Sequence, residues 1–187
     1  MLKQLLERIE ALPEGKVTIA IDGRCAAGKT TLAGELAKSL DAGVVHMDDF
    51  FLPIELRTEE RLTEPGGNVH YERFWEEVVS NLNSGEAFTY RRFDCSRMEL
   101  GQAVFVPASR FTIVEGAYSC HPVLKDYMSL KVFMDVDSRV QLERIRKRNG
   151  QEKLTVFQER WIPMEEAYFS AFGIVEAADI IFKTENI

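Results

Sequence analysis

Hydrophobic positions along the chain fall into two alternating patterns. Short β-branched runs, each of buried-strand length, lie at Val17 to Asp22, Gly43 to Met47, Phe111 to Glu115, Lys131 to Val136 and Asp179 to Lys183. Between them, Lys29 to Leu40, Tyr71 to Leu82, Ser138 to Arg148 and Leu154 to Phe172 carry apolar residues at three- and four-residue spacing, the period of a helix with one buried face. Such alternation predicts a mostly parallel five-stranded sheet with right-handed crossovers and helices on both faces, a three-layer α/β fold. One segment departs from it. Phe88 to Phe93 and Gln102 to Val106 are joined by a polar stretch and predict a small hairpin, over about 88–106, inserted at the sheet edge.

At 187 residues, with 45% hydrophobic and 28% charged residues, the composition is that of a globular chain, and without a Pro/Gly/Ser-rich linker one domain spanning 1–187 is expected. A formal net charge of -7 disfavours a nucleic-acid backbone or an anionic membrane as partner. No apolar run approaches the roughly 20 residues of a bilayer span. The N-terminal MLKQLLERIEALPEGK is amphipathic and acidic, unlike a signal peptide, so a cytoplasmic protein is expected. Cys25, Cys95 and Cys120 match neither a disulfide framework nor a zinc pattern and are expected to be free thiols. Whether the chain forms a homo-oligomer is left open.

Ligands of open α/β sheets bind beyond the carboxyl ends of the strands. There the chain reads Gly23-Arg24-Cys25-Ala26-Ala27-Gly28-Lys29-Thr30, followed by Thr31. It meets GxxxxGK[ST] in full, after a predicted strand and at the start of a predicted helix. Backbone N–H groups of such a loop cradle phosphates, and the helix N-terminus adds positive partial charge. Lys29 is then expected to reach the β and γ phosphates of ATP, and the Thr30 hydroxyl to be a ligand of Mg²⁺. Cys25, near Lys29 and a helix N-terminus, is expected to have a lowered thiol pKa and to be redox-sensitive. A GTPase would also need NKxD and DxxG sequences; neither occurs.

Beyond the loop, His46-Met47-Asp48-Asp49-Phe50-Phe51-Leu52-Pro53 ends the second strand, Val114-Glu115-Gly116-Ala117-Tyr118-Ser119 ends the third core strand, and an arginine-rich helix follows Phe133-Met134-Asp135-Val136-Asp137. In their order and spacing these motifs resemble the uridine kinase family of P-loop kinases, with its nicotinamide riboside kinase and phosphoribulokinase relatives. The resemblance implies a P-loop nucleoside triphosphate hydrolase fold and phosphoryl transfer from ATP to a primary hydroxyl of a small molecule, first of all a nucleoside. It implies Asp48 as general base, Glu115 as a Mg²⁺ ligand, and Arg144 and Arg148, on one helix face, as charge-stabilising residues of a lid over about 144–160. Asp49, Phe51, His70, Tyr71, Glu72, Tyr90, Arg92 and Arg97 are the implied substrate contacts. The chain departs from the uridine kinase pattern at Val69, where that family carries an aspartate, and at Cys95, in place of a base-reading histidine.

Overall fold

A computed structural model of the chain describes residues 1–125 and 127–185. Its strands are β1 (Val17–Gly23), β2 (Gly43–His46), β3 (Phe88–Asp94), β4 (Glu99–Val106), β5 (Phe111–Glu115), β6 (Leu130–Val136) and β7 (Ile180–Thr184). Five of them form a parallel sheet in the order β2-β5-β1-β6-β7. Central β1 is buried at every position, as a strand covered on both faces must be. The period of two sorts neighbours to opposite cores: Ile113, Val132 and Met134 pack on one face, Val114 and Phe133 on the other.

On the first face lie α1 (Leu2–Glu10), formed by the amphipathic N-terminal segment, and α2 (Lys29–Leu40), which bury Leu5, Ile9, Leu32 and Leu36. The second face is covered by the helical run over 71–82 and by Ile162–Phe172, which bury Phe74, Val78, Tyr168 and Phe169. The predicted helices over Tyr71 to Leu82 and Leu154 to Phe172 each contain a π turn, at Trp75–Val79 and at Phe157–Trp161, and the second run starts earlier than expected, at Gln151, directly after Gly150 ends Ser138–Asn149. Among the described residues, no helix is long and apolar enough to cross a membrane.

The hairpin differs from its expected form. Strands β3 and β4 pair antiparallel in a sheet of their own and do not extend the main one, and β4 starts at Glu99, so the joining turn is short. The hairpin still stands beside β2, where the Tyr90 hydroxyl accepts from the His46 amide at 3.4 Å.

Candidate active site

Leaving β1, the chain turns at Gly23 (φ +129°), where a Cβ would lie 2.2 Å from the Met134 carbonyl oxygen of β6. At Gly28 (φ +93°), the residue before α2, nothing lies within 4 Å of a Cβ position. One glycine is required by close approach and the other by its backbone angle. The loop between them opens onto a cavity of about 740 Å³, within the usual range for small-molecule sites. Residues Cys25, Ala26, Ala27, Gly28, Lys29, Thr30 and Thr31 all line it. The Lys29 ammonium donates to the carbonyls of Gly23 (2.6 Å) and Arg24 (2.9 Å), so it is held across the loop.

Outer atoms of the loop are fastened by side chains from far along the sequence. The Cys25 amide donates to Glu165 (2.9 Å), Gln141 donates to the Cys25 carbonyl (3.1 Å), Arg144 to that of Ala26 (3.1 Å) and the Thr184 hydroxyl to that of Ala27 (3.3 Å). Arg24 turns away from the cavity to pair with Asp135 at 2.8 Å and with Glu166. At its root the loop rests on Asp22, whose fully buried carboxylate accepts from the amides of Gly23, Tyr118 and Cys120 and from the Tyr168 hydroxyl.

The expectation for Cys25 is corrected by the same fastening. Burial, and then the Glu165 carboxylate, push its thiol pKa up to about 12, outweighing Lys29, so the thiol stays protonated and is not an activated thiolate.

Past β2, a 3-10 turn at Met47–Phe50 sends two adjacent carboxylates in different directions. Asp48 lines the cavity and is open to it. Protein on its other sides removes bulk water and raises its pKa, with Lys29 opposing and Glu115 adding to the rise. Asp49 is buried under the hairpin, accepting from the Tyr90 hydroxyl at 2.9 Å and pairing with Arg92 at 2.9 Å. At the end of β5, the buried Glu115 carboxylate meets the Thr30 hydroxyl at 3.1 and 3.2 Å and His46 Nδ1 at 2.5 Å. That contact raises the His46 pKa, outweighing burial, which lowers it. Carboxylate and hydroxyl are hard oxygen donors, and Mg²⁺ needs only one or two such protein groups beside phosphates and waters, so the pair suits it. A site closed by protein alone is a different matter: no cluster of three or more His, Cys, Asp or Glu suited to a metal occurs among the described residues.

Of the other implied contacts, Phe51, Arg144 and Arg148 line the cavity and Gly23, His70, Tyr71, Glu72, Tyr90, Arg92 and Arg97 do not. Glu72 accepts from both terminal nitrogens of Arg61 (2.8 and 3.0 Å), whose guanidinium lies 3.8 Å from the Tyr71 ring centroid. Tyr71 also stacks on His121, half-buried His70 has a pKa lowered chiefly by burial, and Arg97 pairs with Glu99 on the hairpin surface. Val69 is buried and bridges to Phe51, while Cys95 is exposed on the hairpin turn.

No family model matches the chain, and no curated protein matches it at a significant level. Solved structures do match. A possible uridine kinase from Bacillus stearothermophilus is 19% identical, with 97% of this chain and 96% of that one covered at a TM-score of 0.71. D-glycerate 3-kinase from Cryptococcus neoformans is 17% identical, with 98% and 92% covered at a TM-score of 0.66. The chain has the P-loop kinase fold. Likeness at these identities fixes the fold alone.

On this P-loop kinase fold, several residues that line the cavity escape sequence reasoning. Asn68, beside the Phe51–Val69 bridge, and Tyr118, just past Glu115, stand on its wall, Phe157 and Trp161 face it from the π turn, and Glu165 closes it behind Cys25. The π turn carries no spacing signal. Tyr118 lies within a recognised motif, three residues after Glu115, and could have been found there.

Proposed function

We propose that this chain is a Mg²⁺- and ATP-dependent kinase that transfers the γ-phosphate to a primary hydroxyl of a small molecule, a nucleoside being the first class to try. The observation that carries the reading is that Asp48, Lys29, Thr30 and Glu115 line one cavity with the phosphate loop. The loop amides would hold the phosphates, and Lys29 would leave its two carbonyl partners for phosphate oxygens. Thr30 and Glu115 would hold Mg²⁺, which supplies charge neutralisation at the β and γ oxygens when bound. Asp48 would accept the acceptor's hydroxyl proton as that oxygen attacks in line. Arg144 and Arg148, one turn apart on the cavity rim, would stabilise charge on the transferring group.

ADP release across a panel of hydroxyl compounds, with product masses, tests the reading. Acceptor-dependent release with a product heavier by one phosphoryl group supports it. ATP consumption only in the absence of acceptor would instead favour a nucleotide-binding regulatory protein that performs no phosphotransfer. Kinases of this fold for other hydroxyl substrates, such as nicotinamide riboside, pantothenate, a sugar phosphate or the glycerate named for the fungal neighbour, are the nearest rivals.

A further inference from the structure

Glu165 is a carboxylate that the reaction proposed above does not use. It lies on the helix Ile162–Phe172, is 6% exposed and lines the cavity beside the phosphate loop. Its Oε2 accepts from the Cys25 amide at 2.9 Å, and the carbonyl at the other end of that same peptide group, that of Arg24, accepts from the Lys29 ammonium at 2.9 Å. One peptide of the loop is thus held between an anion and a cation. Lys29 is shared further, because Asp22 and Asp48 also lie within its field. Asp22 braces the root of the loop through its hydrogen bonds and Asp48 is the proposed base, which leaves Glu165 without a part. Burial raises its pKa, against the pull of Lys29 and of the Cys25 amide and thiol beside it. Fastening the loop does not account for its charge. A glutamine oxygen would accept the Cys25 amide as well, just as Gln141 holds the Cys25 carbonyl (3.1 Å) without one. A buried carboxylate is costly wherever its cation can be drawn away, and phosphates would draw Lys29.

We infer that Glu165 is an internal rival of the nucleotide: its carboxylate holds a loop amide and part of the Lys29 field while the loop is empty, and its charge limits how tightly phosphates are held, a triphosphate more than a diphosphate. This rests on the nucleotide reading of the loop for the ligand, and on the arrangement of Glu165, Cys25 and Lys29 for the site. As Lys29 leaves the Gly23 and Arg24 carbonyls for phosphate oxygens, Glu165 loses its share of the cation and faces charge of its own sign. Each phosphoryl group adds negative charge, so the opposition grows from diphosphate to triphosphate. Nor can the helix readily carry Glu165 away. The neighbouring Glu166 pairs with Arg24, and Tyr168, one turn further on, donates to Asp22 at 2.8 Å.

The test reads binding without turnover. Wild type and Glu165→Gln are titrated calorimetrically, at about pH 8 to keep the carboxylate ionised, with Mg²⁺ and a non-hydrolysable ATP analogue, with Mg²⁺ and ADP, and with inorganic triphosphate. The glutamine keeps an acceptor for the Cys25 amide and removes the charge. It is expected to bind the analogue and inorganic triphosphate about three- to tenfold tighter and ADP by a smaller factor, with a melting temperature within about 2 °C of wild type. A merely structural Glu165 would lower the melting temperature and weaken binding of all three ligands together. Unchanged or weaker analogue binding, or a gain no larger than that for ADP, overturns the inference. Should Glu165→Gln misfold, Glu165→Met removes the same charge at similar volume and poses the same question. Binding of none of the three by either protein overturns the inference together with the nucleotide reading. Titrations as expected, but without acceptor-dependent ADP release, would sink phosphotransfer alone.

Discussion

At the loop end of the cavity, the main-chain atoms of Cys25, Ala26 and Ala27 are fastened by Gln141, Arg144, Glu165 and Thr184, whereas away from the loop Phe51 and Trp161 meet the cavity with their side chains. On the proposed reading, the contrast follows from what each end would bind. Phosphates can be held by backbone amides, whose geometry is set by the loop, so most of this end can be set before the ligand arrives, with Lys29 left to exchange its two carbonyl partners. An acceptor would be told from its relatives by side chains.

The largest effect should come from the carboxylate between the two ends. Asp48→Asn is expected to lower kcat by about 10²–10⁴-fold with ATP affinity, measured by titration, nearly intact. Full activity would remove Asp48 as the base. The same carboxylate predicts the acid limb of the pH profile: a general base must be ionised, and its pKa is raised above the ordinary 3.8, so kcat should begin to fall at a higher pH than for an ordinary aspartate. Lys29→Ala belongs to the phosphate end alone and is expected to cost about 10²–10³-fold in kcat while weakening ATP binding as well. If ATP affinity were unchanged, the contrast between the ends would blur.

Smaller effects separate the cavity from the hairpin beside it. Tyr90→Phe removes a partner of the buried Asp49 carboxylate and is expected to cost about 1–3 kcal/mol in urea unfolding, with the acceptor KM unaltered. Glu72→Gln weakens a pair with Arg61 that is half open to water, a change expected to stay below about 1 kcal/mol and to leave KM alone. A raised KM in either variant would return the hairpin or the Tyr71–Glu72 turn to the acceptor site.

Legibility follows the range of the interactions. Strand and helix positions depend on local periodicity, and β1, α2 and β5 lie where the pattern puts them to within a residue. The loop spells its own geometry. What fails depends on distant partners: Cys25 is misjudged because the fold buries it and sets Glu165, 140 residues later, against it, and Glu72 is drawn off by Arg61 from a short helix, Glu59–Thr63, that has no periodic signal. Tyr90 and Arg92 close over Asp49 because the hairpin folds as a separate sheet, which alternation alone does not disclose. Asn68 follows two glycines and reads as an ordinary turn residue until burial is known.

The two glycines of the phosphate loop carry a consequence for how sequences like this one can drift. Since β6 fills the space beside Gly23 and nothing fills that beside Gly28, a mutation at the first site is weeded out by the demands of folding even in a cell that never uses the protein. At the second, a side chain has room but not the backbone angle, so a folded descendant that no longer needs the loop to bind could accumulate changes there first. A decayed copy of this gene would then keep its first loop glycine longer than its second.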